Sequence, residues 1–180
     1  TIKVYSSLDK DIYDEILITI KANNKNEYTD DEINRVNNII SNMTLRQKVG
    51  QMFVVGFNGT SLSNSFKNVI SEYNFGNIIY MGYNVTDINT LAKLSNDIQN
   101  QMVLSNTVPA FISTDQEGGR VNRLPPEFNK LPSAYLIERS GGCELVEEAS
   151  EIIAEVLADA GFNMNFAPVL DLKNFKDKHA

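Results

Sequence analysis

Two acidic and two basic side chains lie close together in the middle of the chain. The segment DQEGGRVNR, at residues 115–123, contains Asp115, Glu117, Arg120 and Arg123. An ionised carboxylate accepts hydrogen bonds from neighbouring hydroxyl groups, and a guanidinium donates to hydroxyl or carbonyl oxygens. A carboxylate and a guanidinium on one rim therefore suit a neutral polyol as ligand. The alternative is a structural salt bridge that only holds the loop.

Many glycoside hydrolases use two carboxylates at one site for catalysis. Asp115 and Glu117 are too close in sequence to be assigned opposed roles across a sugar ring. Gly118 and Gly119 come next, and without side chains they let the backbone turn sharply and a ligand approach closely. The segment is therefore predicted to bind rather than to cleave.

Strand and helix patterns alternate around this segment about every 30 residues. Short apolar runs predict four strands, at residues 52–57, 77–81, 109–114 and 164–170. Apolar residues at helical spacing predict helices between them. Strands that are apolar on both faces and are joined by helices indicate a parallel sheet with right-handed crossovers.

The predicted helices have recognisable ends. Thr29 with Glu32 and Thr44 with Gln47 each fit a capping box. Further helices are predicted at residues 63–73, with Gly76 at the expected stop, from Asp87 to Met102, and from Glu144 to Ala160, with Gly161 as the stop.

Polar residues follow three of the predicted strands. They are Asn58 with Gly59 after the first, residues 115–123 after the third and Asp171 after the fourth. Because function in parallel α/β folds lies at the carboxyl ends of strands, these residues are the candidates for a site.

The architecture is either a doubly wound sheet or a (β/α)8 barrel, and periodicity does not choose between them. Residues 55–59 (VGFNG) lack the third glycine of a dinucleotide-binding turn, and no GxxxxGK[ST] motif is present. Nucleotide binding is therefore disfavoured. A barrel needs eight strands, so four strands would make half of one.

Residues 1–28 differ from the rest. The run EILITIK, at residues 15–21, predicts a strand, and the polar residues 22–27 predict a connection. This segment is either the remnant of a preceding module or an arm that packs on the main domain.

Composition narrows the function classes. The 180 residues carry a formal net charge of -7, which disfavours binding to nucleic acid. The single cysteine, Cys143, allows no internal disulfide or thiolate zinc site, and we expect it to be buried or half-buried. His179 is the only histidine. No apolar run is long enough to span a membrane. The compartment stays open between the cytoplasm and the cell envelope, with secretion slightly favoured.

Three segments together resemble the family 3 glycoside hydrolases of the β-N-acetylhexosaminidase (NagZ-like) branch. They are MTLRQKVGQMF at residues 43–53, DQEGGRVNR at 115–123 and NMNFAPVLD at 163–171. Their order and spacing match the family over residues 30–172.

The resemblance implies that residues 29–180 are the first four β/α units of a (β/α)8 barrel, preceded by an extension or linker at 1–28. It implies retaining hydrolysis of terminal β-linked N-acetylglucosamine in cell-wall or chitin-type saccharides, with no cofactor and no metal. Asp115 and Arg123 stand at positions that contact the sugar.

The resemblance gives three other residues supporting roles. Glu117 and Arg120 are expected to brace the loop, and Asp171 to lie near the pocket floor.

The chain departs from the family after Leu172. The family's arginine-bearing NP…R-SFG and KHFPGHG segments have no counterpart, and His179 is expected to be a tail histidine. The family's mobile His–Asp pair and aspartate nucleophile would also lie further along. No catalytic residue is therefore expected within this chain, and the chain alone is predicted to be inactive. The alternative is a non-catalytic half-barrel that binds sugar or pairs with the missing C-terminal half through its exposed sheet edge.

Overall fold

The computed structural model describes residues 2–5, 13–16, 28–105 and 108–170. The chain divides into two compact units, Thr1–Asn42 and Met43–Ala180. Asp171 and His179 lie outside the described residues.

The first unit contains a hairpin and one helix. Strands β1 (Ile2–Tyr5) and β2 (Tyr13–Ile16) pair antiparallel. The predicted strand at 15–21 overlaps β2 only at its start, and the remainder falls outside the described residues. β1 was not predicted from the sequence.

Helix α1 (Asp30–Asn42) begins where the capping box predicts. The Glu32 carboxylate accepts from the Thr29 backbone N–H at 2.7 Å, and the Glu32 N–H donates to Thr29 Oγ1 at 3.2 Å. The hydrogen bonds that the Thr29 N–H and the Thr29 hydroxyl donate to the ionised carboxylate lower the pKa of Glu32.

Four helices form the outer layer of the described part of the second unit. They are α2 (Leu45–Gly50), α3 (Asn64–Tyr73), α4 (Ile88–Leu104) and α5 (Ala134–Asp159). The predicted capping box of Thr44 and Gln47 is confirmed. Ser63 caps α3 and Asp87 caps α4. In each, the side-chain oxygen accepts a hydrogen bond from the backbone N–H of the residue three positions later.

The second sheet is entirely parallel, as predicted. It consists of β3 (Val54–Gly56), β4 (Asn77–Ile79), β5 (Phe111–Thr114) and β6 (Met164–Asn165), in the order β3-β4-β5-β6. Each strand thus lies beside the next one in the chain, and the carboxyl ends of all four strands lie at the same end of the sheet.

The core lies between this sheet and its helices. Ile78 and Ile112 face each other on neighbouring strands and are fully buried. The apolar stripe of α4 covers them with Leu91, Leu94, Ile98 and Met102, all buried. Burial of this surface is the main force that holds the helices on the sheet.

Several sequence expectations were wrong in detail. Helix α3 ends with Asn74 in the left-handed conformation (φ 55°), so Gly76 is not its stop. Helix α5 is divided by the non-helical Gly142 (φ 63°, ψ -153°): its second part corresponds to the helix predicted from Glu144, whereas its first part, from Ala134, was not predicted. Cys143, which follows that interruption, is exposed rather than buried.

No helix among the described residues is both long enough and apolar enough to cross a membrane.

Candidate functional site

The loop that follows β5 brings an acidic and a basic side chain together. Asp115 is the first residue after the strand, and Arg123 returns to it eight residues later. Arg123 Nη2 donates to Asp115 Oδ2 at 3.3 Å. The Asp115 side chain is 29% exposed and that of Arg123 21%, so both face solvent in part. The sequence predicted both residues as site residues, and the structure brings them into contact.

The hydrogen-bonding capacity of this pair is not filled by the protein. Asp115 Oδ1 and Arg123 Nε are buried and have no hydrogen-bond partner. Buried polar atoms without partners are uncommon and costly. The pair therefore retains one acceptor and one donor for a ligand group or a water.

Two glycines turn the loop back. The N–H groups of Glu117 and Gly118 both donate to Val121 O at 3.0 Å. Gly118 has φ +85°, and a Cβ there would lie 2.4 Å from Pro132 O. A side chain at residue 118 is thus excluded by both conformation and space. This tight turn is what allows Arg123 to reach Asp115.

Gln116 links the two arms of the loop and was not singled out from the sequence. Its side chain is fully buried. Its Oε1 accepts from the backbone N–H groups of Arg123 and Leu124, and its Nε2 donates to Asn122 Oδ1 at 3.2 Å. In the sequence it is one more polar residue in a polar segment, and only its burial distinguishes it.

Asn165 fixes the base of the same loop to the end of β6. Its Oδ1 accepts from Gln116 N at 2.9 Å, and its Nδ2 donates to Gln116 O at 3.1 Å. Asn165 thereby satisfies both backbone groups of one residue, as a neighbouring strand would.

Asn84 joins the ends of β3 and β4 in a similar manner. This fully buried amide donates to Phe57 O and Gly59 O and accepts from Met81 N. It lies in a 3-10 helix, Gly82–Asn84. Gly59 belongs to the polar cluster predicted after the first strand, and it contributes a backbone carbonyl that anchors this amide. Asn84 carried no recognisable sequence pattern.

Gly82 lies beside the charged pair. A Cβ on Gly82 would come within 3.7 Å of Arg123 Nη1. Next to it opens a cavity of about 330 Å³, whose lining includes Gly82, Asn122, Phe128 and Lys130.

The remaining predicted residues lie apart from the pair. Glu117 is half-buried and lines a second cavity of about 520 Å³ between the loop and α5. Arg120 is exposed. Their expected bracing role stays a prediction, and Asp171 lies outside the described residues.

Tyr80 belongs to the core rather than to the rim. It is fully buried, with edge-to-face contacts to Phe57 and Phe162 at 5.1 and 5.0 Å. Ser95 Oγ donates to Ala160 O, so the Tyr80 hydroxyl must donate to Ser95 Oγ. Burial raises the pKa of Tyr80 above its usual value.

Residues 44–179 match the N-terminal domain of glycosyl hydrolase family 3. The chain belongs to this family. The match contains the whole described parallel sheet and the Asp115–Arg123 loop, so the resemblance seen in the sequence is confirmed.

Similar proteins carry hexosaminidase names. The chain is 34% identical over 115 residues to a beta-hexosaminidase of Photobacterium profundum, covering 63% of this chain and 33% of that protein. A glycoside hydrolase family 3 beta-N-acetylglucosaminidase structure from Paenibacillus sp. str. FPU-7 has a TM-score of 0.69 and 42% identity, covering 72% of this chain and 25% of the other.

A further solved structure contains a sugar derivative. NagZ from Neisseria gonorrhoeae in complex with N-trifluoroacetyl-D-glucosamine has a TM-score of 0.55 and 28% identity, covering 66% of this chain and 36% of that one. The chain thus spans about a third of the length of the curated relatives that it matches.

Proposed function

We propose that this chain forms part of a retaining exo-β-N-acetylglucosaminidase that acts on terminal β-linked N-acetylglucosamine in cell-wall or chitin-type saccharides. The names of the relatives favour this activity. The observation that carries the proposal is the Asp115–Arg123 pair, half-buried at the carboxyl end of β5, with one acceptor and one donor left unpaired.

The architecture proposed for residues 29–180 is the first four β/α units of a (β/α)8 barrel, with residues 1–28 as an extension or linker. The strand order supports it, because each strand lies beside its successor. A barrel is built in this order, whereas a doubly wound sheet reverses direction at a switch point.

In the proposed site, Asp115 accepts hydrogen bonds from sugar hydroxyls and Arg123 donates to sugar oxygens. Glu117 and Arg120 support the loop, and Asp171 lies near the pocket floor. The nucleophile and the acid/base belong to the part of the relatives that this chain does not match. No cofactor is required by retaining hydrolysis of this kind.

Sugar binding tests the role of the pair. Saturation-transfer NMR with N-acetylglucosamine should detect weak binding to the 180-residue chain. Asp115→Asn and Arg123→Met should each weaken it about tenfold, since each removes a hydrogen bond to a charged group. Lys48→Met is the control, because it also removes one positive charge but its exposed side chain lies on α2, outside this loop. Equal affinity in all four proteins would rule out the proposed contact.

Turnover tests where the bond-breaking groups lie. The chain alone should release no nitrophenol from nitrophenyl-β-N-acetylglucosaminide. Clear release that survives further purification would show that the nucleophile has been placed outside the chain in error.

A second role, as a half-barrel that pairs with further strands, is favoured by the open sheet. Its edge strands β3 and β6 leave Val54 and Met164 44% and 38% exposed, and Phe166, which follows β6, is 43% exposed. Open edges with apolar residues are sites of strand addition. We propose the C-terminal half of the barrel as the partner. Co-expression with the remaining part of a close relative should give a complex on size-exclusion chromatography, and separate elution would contradict the pairing.

A further inference from the structure

Arg123 is held weakly through its own side chain. Its guanidinium donates to Asp115 Oδ2 at 3.3 Å and to Asn122 O at 3.4 Å, both long for charged hydrogen bonds, and Nε has no partner. The position of the guanidinium therefore depends on where the backbone of residue 123 is fixed.

Gln116 fixes that backbone. Its Oε1 accepts from the N–H groups of Arg123 and Leu124 together, so one oxygen aligns two successive peptide units. Its Nε2 donates to Asn122 Oδ1, which holds the residue before Arg123 as well. Three consecutive residues of the returning arm are thus tied to one buried amide.

The amide is itself anchored. Asn165 binds both the N–H and the carbonyl of Gln116, and Phe166 N donates to Thr114 O at 2.8 Å beside it. The chain of contacts runs from the end of β6 through Gln116 to Arg123, while Asp115 is the immediate neighbour of Gln116 in sequence. One buried residue therefore sets both members of the charged pair.

We propose that Gln116 is a positioning residue that sets the Arg123 guanidinium opposite Asp115, and that its side-chain oxygen is required for sugar binding without touching the sugar. The second half of this inference rests on the proposed function of the pair. The first half concerns geometry alone.

The test compares Gln116→Met with Gln99→Met. Methionine matches the length of glutamine but removes the hydrogen bonds of the amide. Gln99 is a matched control because its amide also binds a backbone, donating to Ala110 O at 3.0 Å and accepting from Ala110 N at 2.9 Å, at the opposite end of β5. Both variants should lose stability, as urea denaturation will measure.

Two further measurements separate positioning from general destabilisation. In Gln116→Met, the Nε–Hε NMR resonance of Arg123 should shift, and affinity for N-acetylglucosamine should fall about tenfold. In Gln99→Met both should remain as in the wild type. Gln116→Glu keeps an acceptor for the two backbone N–H groups and should recover most of the affinity. An unmoved Arg123 resonance in Gln116→Met would overturn the proposal.

The two proposals fail in different ways. If Asp115→Asn binds sugar as well as the wild type, the proposed function is wrong, while the Arg123 resonance still tests Gln116. If Gln116→Met does not fold, backbone amide hydrogen exchange in the wild type tests the contact between Gln116 and the returning arm of the loop. The Arg123 and Leu124 amide protons should exchange slowly, and rapid exchange at both would exclude the contact with Gln116.

Discussion

At both ends of the parallel sheet, asparagine side chains form hydrogen bonds with the backbone of the loops. The two ends differ in the charged side chains that they carry. At the amino ends, Asn77 Nδ2 donates to Gln51 O at 2.9 Å and to Phe53 O at 3.1 Å. At the carboxyl ends, Asn84 and Asn165 bind the backbone in the same way. Uncharged amides thus hold the loops at both ends.

In the part of the chain that the structure describes, only the carboxyl ends carry a half-buried ion pair and buried polar side-chain atoms without a partner. Among the described residues, the buried side-chain atoms without partners are Thr86 Oγ1, Asp115 Oδ1 and Arg123 Nε, and all three lie in loops that follow strands. The difference supports the proposal that the ligand binds at the carboxyl ends, which is where barrel enzymes have their sites.

The largest expected effect is on stability, at the amino ends. A Cβ on Gly50 would lie 2.3 Å from Asn74 O and 2.7 Å from Tyr73 O, both backbone atoms. Gly50→Ala should lower the free energy of unfolding by about 3 kcal/mol, because the backbone must move. Urea denaturation measures this.

Gly56→Ala is the control, since its nearest contacts would be at 3.9 Å. It should change stability by less than about 1 kcal/mol. Sugar affinity of folded Gly50→Ala protein should equal that of the wild type. A large loss of affinity in this variant would remove the distinction between the two ends.

The next effect compares one amide from each end. Asn84→Ala leaves Phe57 O, Gly59 O and Met81 N without this buried partner, so it should cost about 2 kcal/mol. Asn77→Ala, at a half-buried position, should cost about 1 kcal/mol.

The affinity for sugar should also differ between Asn84→Ala and Asn77→Ala. Asn84 lies in the 3-10 helix that contains Gly82, which is the neighbour of the Arg123 guanidinium. Titration with N-acetylglucosamine should show weaker binding for Asn84→Ala and unchanged binding for Asn77→Ala. The reverse order would place the ligand at the amino ends.

A smaller effect appears at alkaline pH, in the core between the two ends. Burial raises the pKa of Tyr80, so the folded state disfavours the phenolate. The stability associated with the neutral phenol is complete below the ordinary tyrosine pKa of about 10 and declines as pH rises above it. Thermal unfolding between about pH 8 and pH 11 should show a smaller decline for Tyr80→Phe than for the wild type. Equal slopes would mean that Tyr80 ionises freely in the folded protein.

The smallest effect concerns Asp87, which caps α4 and lies outside the loop of Asp115. The Asp87 carboxylate accepts from Thr90 N at 3.0 Å, which lowers the pKa of Asp87 below its usual 3.8. The stability it contributes is present above that usual pKa and is lost as pH falls through the lowered value. Asp87→Asn should lose slightly less stability than the wild type between about pH 5 and pH 2, with sugar affinity at neutral pH unchanged. A change in sugar affinity would give Asp87 a role beyond its helix cap.

Much of the secondary structure could be predicted from the sequence. Strands and helices alternated as expected, because apolar periodicity reports local conformation. The caps at Thr29 and Thr44 were found because a capping box is a contact between residues three apart. The helix predicted from Glu144 matches the part of α5 that follows Gly142, where the backbone leaves helical geometry, while the part from Ala134 was not predicted.

The sequence by itself determined the family and the parallel α/β class, and it marked Asp115 and Arg123 as candidates for the site, because these depend on residue type and short spacing. Only the tertiary structure shows that the two side chains are in contact and that there is no space for a Cβ at Gly118. Only the tertiary structure shows that the side chains of Gln116, Asn84 and Asn165 hold the loops. Those contacts join residues up to 49 positions apart, as between Asn165 and Gln116. A buried amide and an exposed amide are identical in sequence, and only packing distinguishes them.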